Sequence, residues 1–297
     1  MTSRLVFTVD LDRDVNFPME GCREARSLDR GGGTSPRFSS AERGLRILMD
    51  ILDEIGMKAT FFVEGRTSET IDCSSISGHC IGFHGYDHED LTGASTGISY
   101  SDTDLTSILR RGFDAVKDNI SRPTCFRAPY MACDDRVLEA VSSLGIFHDS
   151  SSYSEPGSRP YPVHSGVMEH PVPKGRDTSG RNIASYLWPM HEGKRVPEDY
   201  IRFASCCMDT DFIIATHTWH MVERRDGGIM DEDAIEANSN NVRGSSQGSW
   251  IRVSTRGPSA EVGEKAVLRT IECGHHYELA RNRIRTVGGP MYVYVEN

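Results

Sequence analysis

The chain has 297 residues, a length at which one α/β barrel, or at most two domains, can form and bury a large core. Hydrophobic residues make up 37 % of the sequence and charged residues 26 %, as in an ordinary globular protein. The formal net charge of −10 argues against a general phosphate-binding surface for nucleic acid. We expect one domain over residues 1–297, with loop insertions near 16–38 and 150–195 and a C-terminal extension from about 221.

Two features of the sequence bear on where the protein works. The first ten residues run directly into an apolar segment, which leaves no room for a secretion signal, and no stretch approaches the roughly 20 apolar residues of a membrane span. The eight cysteines include no Cys-x-x-Cys pair, so we expect free thiols rather than a disulfide framework. These features predict a cytoplasmic protein without a membrane span.

Predicted strands and helices alternate along the chain. The apolar run at 4–9 is rich in β-forming residues and predicts a buried strand that stops at acidic residues. After a loop at 16–38, leucines at helical spacing predict a helix that begins at the N-cap candidates Ser39 and Ser40 and ends at Gly56. Further strands are predicted at 58–63, 81–83, 124–126, 146–149, 212–216 and 291–295, and further helices at 105–120, 137–144, 197–208 and 264–271.

This alternation predicts βα units with a mostly parallel sheet. In such folds ligands bind at the carboxyl ends of the strands, which is where polar segments follow the apolar runs. The segments are Asp10-Leu11-Asp12, His84-Gly85-Tyr86-Asp87-His88, Phe126-Arg127-Ala128-Pro129-Tyr130 and Ala215-Thr216-His217. Their carboxylates, imidazoles and guanidinium are the groups that a one-metal hydrolase of amides or esters needs.

A catalytic metal site combines three protein ligands with an open position for the reacting water. His84 and His88 are two candidate ligands, and Asp12 is the natural third. Gly85 favours a loop or a single turn over a regular helix between the histidines. The alternative is a solvated carboxylate beside a structural pair of histidines.

The remaining polar residues suggest acid and base roles. Asp10 lies two residues before Asp12 and points the same way in an extended segment, so one carboxylate could bind metal while the other accepts a proton. Arg127 could keep Asp10 ionised through a charge-assisted hydrogen bond, with a surface ion pair as the alternative. His217 could protonate the leaving amine, and Asp149 is a weaker candidate for tethering Arg127.

These segments resemble the motifs of the polysaccharide deacetylase family, the NodB-homology domain, in its variant with an Asp-x-Asp first motif. The family motifs are resembled by the segments TVDLD, HGYDH, FRAPY and IIATH. The segments KATFFVEG and LGIFHDSS resemble family sequence between the motifs, so the likeness extends over roughly residues 4 to 220. The resemblance implies a distorted (β/α) barrel with outer helices. It also implies a single catalytic domain with one divalent metal, usually Zn²⁺, with Co²⁺, Ni²⁺, Mn²⁺ or Fe²⁺ as alternatives.

The resemblance further implies roles for individual residues. Asp10 would be the base and His217 the acid, and Arg127 would orient the base. The metal ligands would be Asp12, His84 and His88. We expect Asp149 to belong to the catalytic group as well, and Tyr130 and Trp219 to contact the substrate.

Departures from the family bear on the substrate. The first motif lacks the adjacent Asp-Asp of secreted chitin and peptidoglycan deacetylases, and the fourth motif is not recognisable beyond Asp149. Because no export signal is evident, we expect removal of an acetyl group from an amino sugar or a related small molecule by hydrolysis of a C–N amide bond. The alternatives are hydrolysis of a cyclic amide or ureide of the allantoin type, or an inactive metal-binding homologue; the presence of Asp10 and His217 speaks against the latter. The expected partner is a small-molecule substrate and not nucleic acid, and a homo-oligomer is left open.

Overall fold

The computed structural model describes residues 3–29, 31–177, 179–204, 206–207, 210–224 and 232–243, together with five short strands within 252–294. The strands are β1 Ser3–Leu11, β2 Asn16–Phe17, β3 Arg26–Ser27, β4 Thr60–Val63, β5 Cys80–Phe83, β6 Cys125–Phe126, β7 His148–Asp149, β8 Tyr153–Ser154, β9 Tyr161–Pro162, β10 Met168–Glu169, β11 Val172–Arg176, β12 Asn182–Ala184, β13 Asp211–His217, β14 Arg252–Val253, β15 Thr270–Ile271, β16 Gly274–His275, β17 Tyr277–Leu279 and β18 Val293–Tyr294. The helices are α1 Ser39–Ile55, α2 Gly65–Thr70, α3 Asp102–Asn119, α4 Asp135–Ser143, α5 Trp188–His191, α6 Pro197–Ala204 and α7 Glu232–Arg243.

One mostly parallel sheet organises these elements. Its strand order is β13-β1-β4-β5-β6-β7-β10-β9, and β17 pairs with β1. The pairs from β13 to β10 are parallel, whereas β9 and β17 are antiparallel to their neighbours. The sheet curls into a half-barrel with helices outside, which confirms the predicted distorted (β/α) barrel. Because the parallel strands share one direction, their carboxyl ends meet at one edge.

Helix α1 shows how local sequence and distant residues combine. Leucines at helical spacing pack into the core, and the helix ends at Gly56, whose φ of +65° suits a left-handed C-terminal residue. The predicted N-cap is wrong, since Phe38 occupies that position without a side-chain cap. Instead Asp14 accepts a hydrogen bond from the backbone N–H of Ala41 at 2.9 Å. A carboxylate from the preceding loop therefore caps the helix.

The described elements differ from the predicted ones in several places. The loop at 16–38 contains the hairpin β2–β3, and the insertion at 150–195 contains β8 to β12 and α5. Helix α6 ends at Ala204, so it is shorter than the helix predicted over 197–208. Thr270–Ile271 form strand β15 rather than the end of a helix, and 264–269 lie outside the described residues. Of the predicted last strand, Val293–Tyr294 form β18.

Two sequence expectations concern the membrane and the thiols. No helix in the described part of the chain combines the length and the apolar character needed to cross a bilayer. All seven cysteines within the described residues are free, and Cys273 lies outside them. The expectation of free thiols holds for those seven.

Candidate active site at the carboxyl end of the sheet

A cavity of about 260 Å³ opens at the carboxyl edge of the sheet. Asp10 lies near the end of β1 and Asp12 just beyond it, while His217 ends β13 and is paired with Asp10 in the parallel ladder. His84 follows β5 directly. The predicted site residues that line the cavity are Asp10, Asp12, His84, His88, Tyr130, His217 and Trp219.

Three buried side chains in this cavity form a compact set of potential metal ligands. One ligand atom each from Asp12, His84 and His88 lie within 4.8 Å of one another. The Nε2 atoms of the two histidines are 3.2 Å apart, and Nε2 of His88 is 3.2 Å from Oδ2 of Asp12. Positive φ angles at Gly85 and His88 show that a loop, not a helix, brings the histidines together.

The protonation of the histidines fits a metal. Nδ1–H of His84 donates to the carbonyl oxygen of Arg127 at 2.7 Å, because a carbonyl can only accept. That hydrogen bond leaves the Nε2 lone pair of His84 directed at the set. Burial lowers the pKa of both His84 and His88 to about 4. Both imidazoles are therefore neutral near pH 7, the state in which histidine binds metal.

The surroundings of Asp12 favour a bound cation at the ligand set. Burial raises the pKa of its carboxyl group to about 7. Oδ2 accepts a hydrogen bond from Asn16 at 3.0 Å, whereas Oδ1 is buried without a partner in the described structure. A buried carboxylate without a counter-charge is unfavourable, so a divalent cation at this position would stabilise the ionised form.

Asp10 lies in a different electrostatic environment. The fully buried Arg127 guanidinium donates to Oδ1 of Asp10 at 2.8 Å, and the Tyr186 hydroxyl donates to Oδ2 at 2.6 Å. Burial raises the pKa of Asp10, but the nearby charges, led by Arg127, and the Tyr186 hydrogen bond outweigh it and lower the pKa to about 2. Asp10 is therefore ionised at neutral pH, as a base must be.

The His217 imidazole lines the same cavity as the ligand set. Its ring stacks on Tyr186 with centroids 5.5 Å apart, and the Trp219 ring lies 5.0 Å away. Nε2 of His217 is 3.7 Å from Oδ2 of Asp10. Burial lowers the pKa of His217 to about 4, so the free imidazole is neutral near pH 7.

The sequence of residues 41–147 matches the family model for polysaccharide deacetylase. This part of the chain is therefore similar to the polysaccharide deacetylase family. A chitin deacetylase of Arthroderma benhamiae is 36 % identical over 105 residues, which cover 33 % of this chain and 27 % of the relative. A chitin deacetylase of Colletotrichum lindemuthianum is 34 % identical over 109 residues, covering 33 % and 41 %. The matched region thus spans less than half of these relatives.

Two solved structures share the fold of this chain. A protein from Mycobacterium smegmatis assigned to the polysaccharide deacetylases has 22 % identity and a TM-score of 0.53, covering 79 % of this chain and 81 % of its own. Puue allantoinase has 14 % identity and a TM-score of 0.51, covering 80 % of this chain and 82 % of its own. Two proteins named for different activities therefore share this architecture, so the fold alone does not determine the substrate.

Tyr130 has an unusual backbone geometry. Tyr130 and Met131 have φ angles of 59° and 58°, in the left-handed region that side chains disfavour. The Tyr130 ring meets the His88 ring edge to face at 4.6 Å, and its buried hydroxyl has no partner among the described residues. The strained turn thus places Tyr130 in the lining of the cavity, beside the candidate ligand His88.

The predicted role of Asp149 as a tether for Arg127 needs correction. Nε and one terminal nitrogen of Arg127 donate to Ser150, to the carbonyl oxygen and Oγ at 2.9 Å each. Asp149 instead accepts a hydrogen bond from Ser151 at 2.5 Å and lies opposite Glu169. Burial, together with the nearby Glu169 carboxyl group, raises the pKa of Asp149 well above its ordinary value. Asp149 is not among the described residues that line the cavity.

Two residues that the sequence analysis did not single out contact Arg127 and Asp10. Ser150 holds Arg127, and Tyr186 contacts Asp10 from the insertion at 150–195. Tyr186 is brought to the site by an isolated parallel bridge to Ala215 in β13. No sequence periodicity marks Tyr186, whereas Ser150 follows directly after the strand-end residue Asp149.

Proposed function

We propose that the protein is a metal-dependent hydrolase that removes the acetyl group from the nitrogen of an amino sugar. The observation that carries the proposal is the meeting, in one small cavity, of a three-residue metal-ligand set, an ionised carboxylate and an imidazole. The chitin deacetylases that the chain matches act on N-acetyl amides by name, which supports the choice of bond.

The proposed metal is Zn²⁺, held by Asp12, His84 and His88. One carboxylate and two neutral imidazoles are a donor set that catalytic zinc sites use. Co²⁺, Ni²⁺, Mn²⁺ and Fe²⁺ accept the same ligands and are alternatives. When bound, the metal supplies Lewis acidity, which polarises a carbonyl and makes a bound water more acidic.

In this proposal Asp10 is the general base. Its carboxylate is ionised and oriented on both oxygens, by Arg127 on Oδ1 and by Tyr186 on Oδ2. Oriented carboxylates lose little entropy when they accept a proton in the transition state. Asp10 therefore accepts the proton of the water that attacks the amide carbonyl.

His217 is the proposed general acid. The imidazole is neutral in the free protein, so it must gain a proton during the reaction before it can donate one. Oδ2 of Asp10 lies 3.7 Å from Nε2 of His217, so a proton taken up by the base is next to the group that delivers one. His217 then protonates the departing nitrogen, which an amine leaving group requires.

The cavity itself suits a small polar group. Its volume of about 260 Å³ is near the lower limit of ligand pockets. Buried polar atoms without partners in the described structure line it, and they are Oδ1 of Asp12, Oη of Tyr130, Nδ1 of His217 and Nε1 of Trp219. An acetamido group offers both a hydrogen-bond donor and an acceptor to such atoms, whereas an apolar ligand would leave them unsatisfied.

The proposal is tested by measuring acetate release. Protein loaded with Zn²⁺ is incubated with N-acetylglucosamine, its β-1,4 disaccharide, N-acetylglucosamine phosphates and allantoin. We expect acetate from at least one amino sugar and a strong loss in Asp10→Asn at unchanged metal content. Ring opening of allantoin without acetate release from any sugar would replace the proposal with ureide hydrolysis. Stoichiometric metal without turnover of any of these compounds would favour the inactive homologue.

A further inference from the structure

A second depression continues from the catalytic cavity. It is a groove of about 1170 Å³. Tyr153 and Trp188 line both the groove and the cavity, so the two spaces share a wall. The Tyr153 ring lies 6.3 Å from the ring of Tyr186, whose hydroxyl contacts Asp10. The groove therefore offers space next to the cavity for the remaining part of a substrate whose amide reaches Asp10.

Two exposed cations on β11 face this groove. Lys174 and Arg176 are alternate residues of a strand, so their side chains project from the same face. The Lys174 ammonium lies 4.7 Å from the centroid of the Tyr153 ring. Within the described residues neither Lys174 nor Arg176 forms an ion pair.

The other charges of the groove are arranged differently. Lys194 pairs with Glu192 at 2.5 Å, and Arg195 pairs with Asp177 at 2.9 Å. Glu155 is the acidic residue that lines the groove, and its Oε2 lies close to the backbone at Gly175. Lys174 and Arg176 are thus the cations available to a ligand in the groove. The negative charge of Glu155 would repel an anion bound there.

We propose that this groove binds a phosphate or diphosphate group carried by the amino-sugar substrate. The inference rests on the proposed function for the position of the sugar, and it adds the class of substrate. An ammonium beside a guanidinium suits a phosphate, which carries more charge and more acceptor oxygens than a single carboxylate. Tyr153 and Trp188 provide flat surfaces for the sugar or for an attached base between the two sites.

Binding measured by calorimetry tests the inference without requiring turnover. The probes are N-acetylglucosamine, its 1-phosphate, UDP-N-acetylglucosamine and farnesyl-diphospho-N-acetylglucosamine. We expect at least one phosphorylated probe to bind roughly ten-fold tighter than the neutral sugar, an advantage that falls as salt is raised. If all phosphorylated probes bind tighter than the neutral sugar, the groove recognises the phosphate group itself. If only the UDP sugar or only the farnesyl-diphospho sugar binds tighter, the natural substrate is a nucleotide-linked or a lipid-linked sugar, respectively.

Variants in the groove have expected effects of opposite sign. Lys174→Gln combined with Arg176→Gln should remove most of the advantage of the phosphorylated probe, while binding of the neutral sugar stays unchanged. Glu155→Gln should increase the advantage by a few-fold, because it removes a repulsive charge. Lys194→Gln is the matched control, since that ammonium is already paired with Glu192, and its effect should be the smallest. A gain in Glu155→Gln cannot arise from misfolding.

The outcomes separate the two proposals. Equal affinity for neutral and phosphorylated probes, or an advantage that survives the double variant, would overturn the inference. Acetate release from neutral sugars alongside that result would leave the proposed function standing. Selective binding of phosphorylated probes with no acetate release from any sugar would instead support the groove and refute the deacetylase activity.

Discussion

Replacing Arg127 by methionine should destabilise the metal-free protein by about 3–5 kcal/mol, because it leaves the Asp10 carboxylate buried without its cation. The guanidinium is fully buried, so solvent does not screen the loss. It also donates to Thr8 at 3.1 Å and to Ser150, and it lies 4.3 Å from the Phe62 ring centroid. Methionine has a similar length and can keep part of that packing, which makes the missing charge and hydrogen bonds the main change.

The pKa of Asp10 gives an independent measure of the free energy by which the Asp10–Arg127 pair stabilises the fold. The fall from 3.8 to about 2 corresponds to about 2–3 kcal/mol of stability at neutral pH, which Arg127 supplies in large part. Because the folded pKa is below the unfolded one, this contribution is present above about pH 4 and is lost as the pH falls towards 2. The cost of Arg127→Met should therefore be greatest at neutral pH.

Urea denaturation of the metal-free protein measures the effect, with a double-mutant cycle to isolate the pair. Asp10→Asn combined with Arg127→Met should be more stable than the sum of the single effects predicts, by about 2–3 kcal/mol. Arg127→Lys keeps the charge but not the planar donors, so its loss should be intermediate. A coupling below about 0.5 kcal/mol would refute the assignment of Arg127 as the residue that holds Asp10 ionised.

Three further predictions concern the metal and the catalytic groups. His88→Ala should bind well below one metal per chain by elemental analysis, whereas His164→Ala, an exposed control, should keep full occupancy; full occupancy in both would remove His88 from the ligand set. Asp10→Asn should keep its metal and lose about two to four orders of magnitude in rate, and loss of metal there, with Asp12→Asn keeping it, would reverse the two roles. His217→Ala should slow amides far more than activated aryl esters, because a phenolate leaves without a proton; equal losses on both would assign His217 to the nucleophile or the oxyanion.

The sequence predicted the strand-end residues well because chain order and sheet geometry are tightly linked. Asp10, His84 and His217 each lie at or next to the end of an apolar run that became a parallel strand. Parallel strands place their carboxyl ends at one edge, so residues far apart in the chain meet without any further information. The family resemblance supplied the roles, and the structure supplies the distances among the residues.

The prediction that Asp149 tethers Arg127 was wrong because side chains alternate between the two faces of a strand. Successive residues of a strand point to opposite faces, so neighbours at a strand end serve different sites. Asp149 points towards Ser151 and Glu169, and the next residue, Ser150, meets Arg127. A charged residue at the right strand end was the natural choice from sequence, but register within the strand decided the contact.

Tyr186 and Asp14 were beyond prediction for a different reason. Both act through contacts between segments that the sequence pattern does not link, Tyr186 with Asp10 and Asp14 with the start of α1. The insertion that carries Tyr186 lacks periodicity, and its path is set by pairing with Ala215. Such tertiary contacts depend on the assembled sheet, and a single sequence contains no local signal for them.

Asp10 and Asp12 show how one fold can give the same residue type two different tasks. The carboxyl groups are two residues apart, both buried, and both near the same histidines. Asp10 meets a permanent cation, Arg127, and its pKa falls to about 2. Among the described residues Asp12 lies beside imidazoles and Asn16, and burial raises its pKa to about 7. The negative charge of Asp10 is thus neutralised by a residue of the protein, whereas a bound cation would neutralise the negative charge of Asp12. Environments that push the pKa values of a pair apart favour different roles for its members, and in the proposed function Asp10 transfers the proton and Asp12 binds the cation.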